Sequence, residues 1–149
     1  MELFIEVLLP DWHVATAEDL PTQATDVASF LEAYARHWVA RLRAGDTRRA
    51  FELELELYLA AIRDPRLLAK TKAIFASSEQ RLTAHLEHLA SDGPPMRIAA
   101  AELARTLVAA MQGLSQLAVA LDEEPDEEMF VRVARRLGEN VGNGSPEPG

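Results

Sequence analysis

A chain of 149 residues that is 48% hydrophobic and 26% charged can bury one core and is too apolar for wholesale disorder. With 15 basic and 24 acidic residues its net charge is −9, a poor match for duplex DNA or an anionic membrane surface. Cysteine is absent, which excludes disulfides, thiolate nucleophiles and Cys-type zinc or iron–sulfur sites and agrees with a cytoplasmic location.

The composition predicts an all-α helical bundle of about six helices: Ala, Leu, Glu and Arg dominate and β-branched residues are sparse. Glu2 to Leu9 reads as a short apolar helix stopped by Pro10; it lacks the basic start of a signal peptide, and Glu6 interrupts it. A loop with Trp12 follows to Thr22. Thr25 to Ala44 carries Val27, Phe30, Leu31, Tyr34, Trp38 and Leu42 at helical spacing, closed by Gly45. Asp46 or Thr47 then opens a helix ending at Arg63, before Asp64-Pro65. Its stretch Phe51 to Leu59 alternates with period two, a strand pattern, yet Leu and Glu are helix formers and the flanks are helical. As a helix it is apolar on two sides, with Phe51, Leu55, Tyr58, Leu59 and Ile62 on one and Leu53 and Leu57 on the other. That pattern predicts a central, mostly buried element. A fourth helix runs from Pro65 to about Ala90, a fifth from Met96 to Leu121, and a last one from its cap Asp126 to about Asn140. Residues 142–149 read as a disordered tail.

The fifth helix is the most informative. From Thr106 to Leu121 it has no charge. Leu103, Leu107, Ala110, Leu114, Leu117 and Leu121 alternate spacings of three and four like a coiled-coil seam. The run is too short and too interrupted by Gly113, Ser115 and two glutamines to span a bilayer. It therefore predicts a helix buried on one side by its own core and on the other by a second copy. A mid-helix Gly113, which costs about 1 kcal/mol against Ala, fits close helix approach. Phe130, Val133 and Leu137 of the last helix supply a companion face, giving a four-helix interface about a two-fold axis.

Catalytic motifs are missing: no HExxH, GxSxG, P-loop or GxGxxG occurs, so neither catalysis, a cofactor nor a bound metal is expected. His85 and His88 lie one turn apart without a third ligand at matching spacing. Two features point instead to a ligand cavity. Thr71, Ser78 and His85 form a polar column beside the stripe containing Phe75, although such a column can equally reach water. Glu54 falls between Leu57, Ala61 and Tyr58, where a carboxylate needs a cationic ligand, a partner or water. With Trp38, Tyr58 and Met111 these are the candidate ligand-binding residues.

Leu55-Glu-Leu-Tyr-Leu-Ala-Ala-Ile-Arg63-Asp64-Pro65-Arg66-Leu67, an apolar helix closing in Arg-Asp-Pro-x-Leu, resembles a central-helix ending of TetR-type transcriptional regulators. Leu107-Val-Ala-Ala-Met-Gln-Gly113-Leu114 resembles the family's first dimerisation helix, and the short helix after the acidic turn its second. Glu2-Leu3-Phe4 resembles the opening of the helix that joins the DNA-reading head to the sensor body. The BetI-like sensor domains look closest. The resemblance implies that residues 1–141 are a ligand-binding and dimerisation domain, with 1–9 a remnant of the linking helix. It also implies a cytoplasmic homodimer that takes a small-molecule effector, with DNA bound only through a three-helix head. That head is not in the sequence. A truncated chain, a start codon placed too late and a natural head-less relative are all compatible with this. A head-less helical dimer that binds a protein partner and no ligand is the competing reading. The two differ in whether Trp38, Tyr58, Phe75 and Met111 surround empty space or touch one another.

Overall fold

The computed structural model describes residues 20–21, 23–44, 47–93 and 95–142, and within them five helices and no strand. They are α1 (Val27–Ala44), α2 (Thr47–Arg63), α3 (Pro65–Ser91), α4 (Ala100–Leu121) and α5 (Glu127–Gly142). The predicted helix at 2–9, the loop with Trp12, the cap at Asp46 and the tail beyond Gly142 lie outside the described residues. The last helix runs through Gly142, beyond the expected boundary, and α4 begins at Ala100 rather than Met96 because Ala99 is extended (φ −61°, ψ 142°).

Local chemistry sets the helix ends. Asp26 Oδ1 accepts the Ser29 N–H at 2.8 Å at the start of α1. Asp64 Oδ1 accepts from the N–H groups of Arg66 (2.9 Å) and Leu67 (3.4 Å), and Pro65 occupies the first turn of α3, where its missing N–H costs nothing. Asp126 caps α5 through the N–H groups of Glu128 and Met129 at 3.0 and 3.3 Å. Asp122 closes α4 in the left-handed region (φ 57°), its N–H turned back to the carbonyls of Ala118 and Val119.

The main core joins α1, α4, α5 and the C-terminal half of α3. Phe30, Leu31, Ala35, Val39, Leu86, Leu103, Leu107 and Met111 are fully enclosed. The most extensive packing is α1 on α5, followed by α3 on α4. Gly138 makes the first possible: a Cβ there would sit 3.5 Å from Ala28 and Leu31, so α1 and α5 approach along it. Gly113, the expected site of close approach, has nothing within 4 Å of such a Cβ inside the subunit and is exposed.

Two expectations are corrected. First, α2 is peripheral rather than central. It buries Glu54, Leu57 and Ala61 against α3, forming a separate small core with Leu67, while Leu55, Leu59 and Ile62 are 46, 58 and 76% exposed. One flank is packed, and no other described element covers the opposite one. Second, Leu103, Leu107 and Phe130, expected at a dimer interface, belong to the subunit's own core and have no surface left for a partner. The cause is geometric. A seven-residue repeat drifts about 20° per heptad around a straight 3.6-residue helix. The seam therefore begins inside at Leu103 and Leu107, grazes the core at Ala110 and Leu114, and turns outside at Leu117 (54% exposed), whereas Leu121 (56%) shares the azimuth of Leu103 and is exposed because it ends the helix. Val133 and Leu137 also lie half-buried against the core.

Candidate functional site

Helices α2, α3 and α4 meet at a buried carboxylate. Glu54 lies on the inner flank of α2 and is 4% exposed. Its Oε1 accepts hydrogen bonds from the Tyr58 hydroxyl, one turn along α2, and from Gln112 Nε2 on α4. Gln112 Nε2 also donates to the Tyr58 oxygen at 2.9 Å, closing a three-residue ring. Glu54 Oε2 is buried without a partner. Burial pushes the Glu54 carboxyl above its ordinary range, against the lowering effect of the Tyr58 and Gln112 bonds. Burial and the adjacent carboxylate also push the Tyr58 hydroxyl well above 10.

Tyr58 connects this ring to an open groove of about 370 Å³ between α2 and α3. Its ring tilts against Phe75, centroids 5.9 Å apart. Ala61, Ile62, Leu68 and Thr71 continue the lining. Thr71 is buried, but its hydroxyl donates to the Leu67 carbonyl of its own helix at 2.9 Å. The rim carries Lys72 and the pair Arg105–Glu79, a two-pronged contact with N–O distances of 3.0–3.2 Å that ties α4 to α3. A floor of apolar and aromatic side chains with a few directed polar groups can hold a small, mostly apolar molecule.

The remaining expected ligand residues lie elsewhere. Trp38 and Met111 are in the main core. Trp38 Nε1 donates to Ser115 Oγ at 2.9 Å, and Ser115 Oγ donates to the Met111 carbonyl at 2.8 Å, so this buried polar chain is satisfied. Tyr34 extends the aromatic ladder Phe30–Tyr34–Trp38, with centroids 5.9 and 6.0 Å apart. Trp38, Tyr58, Phe75 and Met111 thus surround no common space. His85 packs on Phe30 at 4.7 Å, with Nε2 buried and unpartnered; burial, and then His88, hold its pKa below 6.5. Ser78 is half-buried on α3 and does not line the groove. Of the polar column, only Thr71 reaches the groove.

Sequence reasoning missed Gln112, which holds Glu54, and Ser115, which holds Trp38. Both were visible as polar breaks in a charge-free helix, three residues apart and facing the interior. A second depression, lined by Arg36, Glu127, Glu128, Val131, Arg132 and Arg135, is a lattice of surface ion pairs. Within it Arg135 and Arg36 hold Glu32 at 3.0 and 3.2 Å, and the Arg135 bond lowers the Glu32 carboxyl below its usual range.

Among the described residues no group of three His, Asp or Glu side chains could hold a metal ion, and no helix is long and apolar enough to cross a membrane. No curated protein and no solved structure matches the chain. A family model described as the BetI-type transcriptional repressor, C-terminal, matches residues 30–141, from the first turn of α1 into the last turn of α5. The chain therefore belongs to the C-terminal domain family of BetI-type repressors, within the TetR group of transcriptional regulators.

Proposed function

We propose that this domain senses a small molecule in the groove between α2 and α3, pairs with a second copy through the outer flank of α4, and thereby governs a helix-turn-helix head. The observation that carries the sensing part is Tyr58. One face of it lines the groove, and its hydroxyl is bonded to a buried carboxylate that keeps one oxygen spare. A ligand with an apolar body and a cationic or hydrogen-bond-donating end suits that arrangement, because a buried acid gains most from a donor that arrives desolvated.

The dimerisation part rests on the outer row of α4. Thr106, Ala109, Gly113 and Leu117 follow one another on one exposed, uncharged flank, with Leu121 beside them. Small residues there permit close approach of a symmetry-related helix, and Met129 of α5, 44% exposed, extends the apolar surface.

Two experiments test the reading. In sedimentation equilibrium the chain is expected as a dimer and Leu117→Glu as a monomer that keeps its helical circular dichroism. A monomeric parent chain would refute the pairing. For sensing, benzylamine and benzyl alcohol are a matched pair of probes with and without a cation. A saturable rise in Tm with benzylamine, reduced in Glu54→Gln, is expected. If neither probe nor their longer homologues shift Tm, the ligand-free interaction module becomes the better account.

A further inference from the structure

The groove between α2 and α3 carries a charge that the sensing reading leaves unused. Its walls are apolar: Ala61 and Ile62 from α2 face Leu68, Phe75 and Ala76 from α3. Three lining residues are charged, Lys72, Glu79 and Arg105. Glu79 and Arg105 neutralise each other, since Arg105 donates to both carboxylate oxygens at 3.0–3.2 Å. Lys72 is placed differently. It is exposed, and among the described residues no carboxylate pairs with it. Its neighbours one turn away on α3 are Leu68, Ala69, Phe75 and Ala76, none of them acidic. The residues that α2 contributes to the lining, Tyr58, Ala61 and Ile62, add no acid either. In a chain of net charge −9, one uncompensated cation beside an apolar groove runs against the background.

Resting on the sensing role proposed for the same groove, we infer that its ligand is an amphiphilic monoanion: a flat apolar body laid against Phe75 and Tyr58, with a carboxylate held by Lys72. The Glu54–Tyr58 end of the groove then addresses the opposite end of the molecule. Lys72 and Phe75 are three residues apart, about 4.5 Å along the helix axis. An aromatic ring seated on Phe75 therefore brings a directly attached carboxylate within reach of the ammonium. A single charge matches a single ammonium. A dianionic phosphate needs further donors, and both hydroxyl protons in the lining are already spent, that of Thr71 on the Leu67 carbonyl and that of Tyr58 on Glu54. Burial of the ring supplies the affinity, and the ion pair selects acids from neutral molecules of the same shape.

The probes are 4-(hydroxymethyl)benzoate and its neutral counterpart 4-(hydroxymethyl)benzamide, titrated calorimetrically into the full chain at low salt. The acid is expected to bind about fivefold more tightly than the amide, the upper range for an exposed ion pair. Lys72→Gln, an exposed change whose fold circular dichroism verifies, is expected to bring the two to equal affinity. Salt at about 0.5 M is expected to do the same in the parent chain. Equal binding of acid and amide by the parent, or tighter binding of the amide, would overturn the inference and leave the sensing role standing. A preference for the acid that survives in Lys72→Gln would overturn the assignment to Lys72. If the acid fails to bind where benzyl alcohol binds, the inference falls alone. If none of the three molecules binds, the sensing role falls with it.

Discussion

The main core and the α2–α3 hairpin are built from similar residues and end in opposite conditions. In the core, Phe30, Leu31, Leu103, Leu107 and Met111 are fully enclosed, and the indole of Trp38 is paired with Ser115. In the hairpin a small cluster of Leu57, Ala61 and Leu67 sits beside an open groove, an acid with an unpartnered oxygen and three exposed aliphatic side chains. The core does have unpartnered atoms near it, Nε2 of His37 and of His85, but the hairpin strands an acid oxygen, the costlier kind of group to leave buried without a partner. Close packing and open space are thus housed separately. The close-packed part resists rearrangement, and the loosely packed part can repack at smaller cost.

The largest expected effect tests that division directly. Phe30→Ala empties the centre of the core beside Tyr34 and His85 and is expected to cost about 3–5 kcal/mol in urea unfolding. Leu57→Ala, in the small cluster, is expected near the low end of the leucine range, about 2 kcal/mol, because its surroundings can collapse. Equal losses at the two sites would erase the distinction.

The polar chain in the core gives a smaller effect. Ser115→Ala leaves the Trp38 indole N–H buried with no acceptor, at an expected cost of about 1–3 kcal/mol, while the Met111 carbonyl keeps its helical environment. Ser115→Thr, which restores an acceptor, should recover part of the loss. A neutral Ser115→Ala would mean that the indole finds water, and the core would be wetter than its packing implies.

Much of the fold was legible in the sequence, and the failures share a cause. The break at Asp64-Pro65, the cap at Asp126 and the helical state of Phe51 to Leu59 follow from residues within one or two turns of each other. Which flank of a helix meets which neighbour does not. A strict heptad reads as one seam, although on a straight helix it rotates from the interior at Leu103 to the surface at Leu117, and the helix end at Leu121 is uncovered whatever its azimuth. The double-sided apolar pattern of α2 looked like central burial, yet it records one flank for α3 and another left open. The site was half legible: Glu54 stood out because a carboxylate among Leu57, Ala61 and Tyr58 violates patterning. Gln112 on α4, 58 positions away along the chain, could not be paired with it from spacing alone. Whether Trp38 and Met111 line a space or pack in the core is open in the sequence, because the same aromatic and apolar side chains serve either role; in the fold both are core.

The smallest effect, and the one that bears most on the hairpin, concerns Glu54, and its sign is opposite to the others. Burial raises its folded-state pKa above 4.5, so the folded protein holds this proton more tightly than the unfolded chain. The stabilisation from that proton is complete below the ordinary carboxylate range and is lost as pH rises through the raised pKa. Above that raised pKa the ionised carboxylate, with Oε2 unpartnered, burdens the fold. Glu54→Gln keeps a carbonyl oxygen for Tyr58 and Gln112 and removes the charge. It is therefore expected to stabilise the chain by about 1 kcal/mol where the parent carboxyl is ionised, the advantage shrinking as pH falls through the raised pKa and the parent carboxyl takes up its proton. Urea unfolding of both proteins across pH 4–7 measures this. A variant less stable than its parent at pH 7 would mean that the carboxylate already has a cationic or hydrogen-bonding partner within the fold. The acid would then be a structural fixture rather than a group kept spare for a ligand, and the hairpin would lose the feature that most sets it apart from the core.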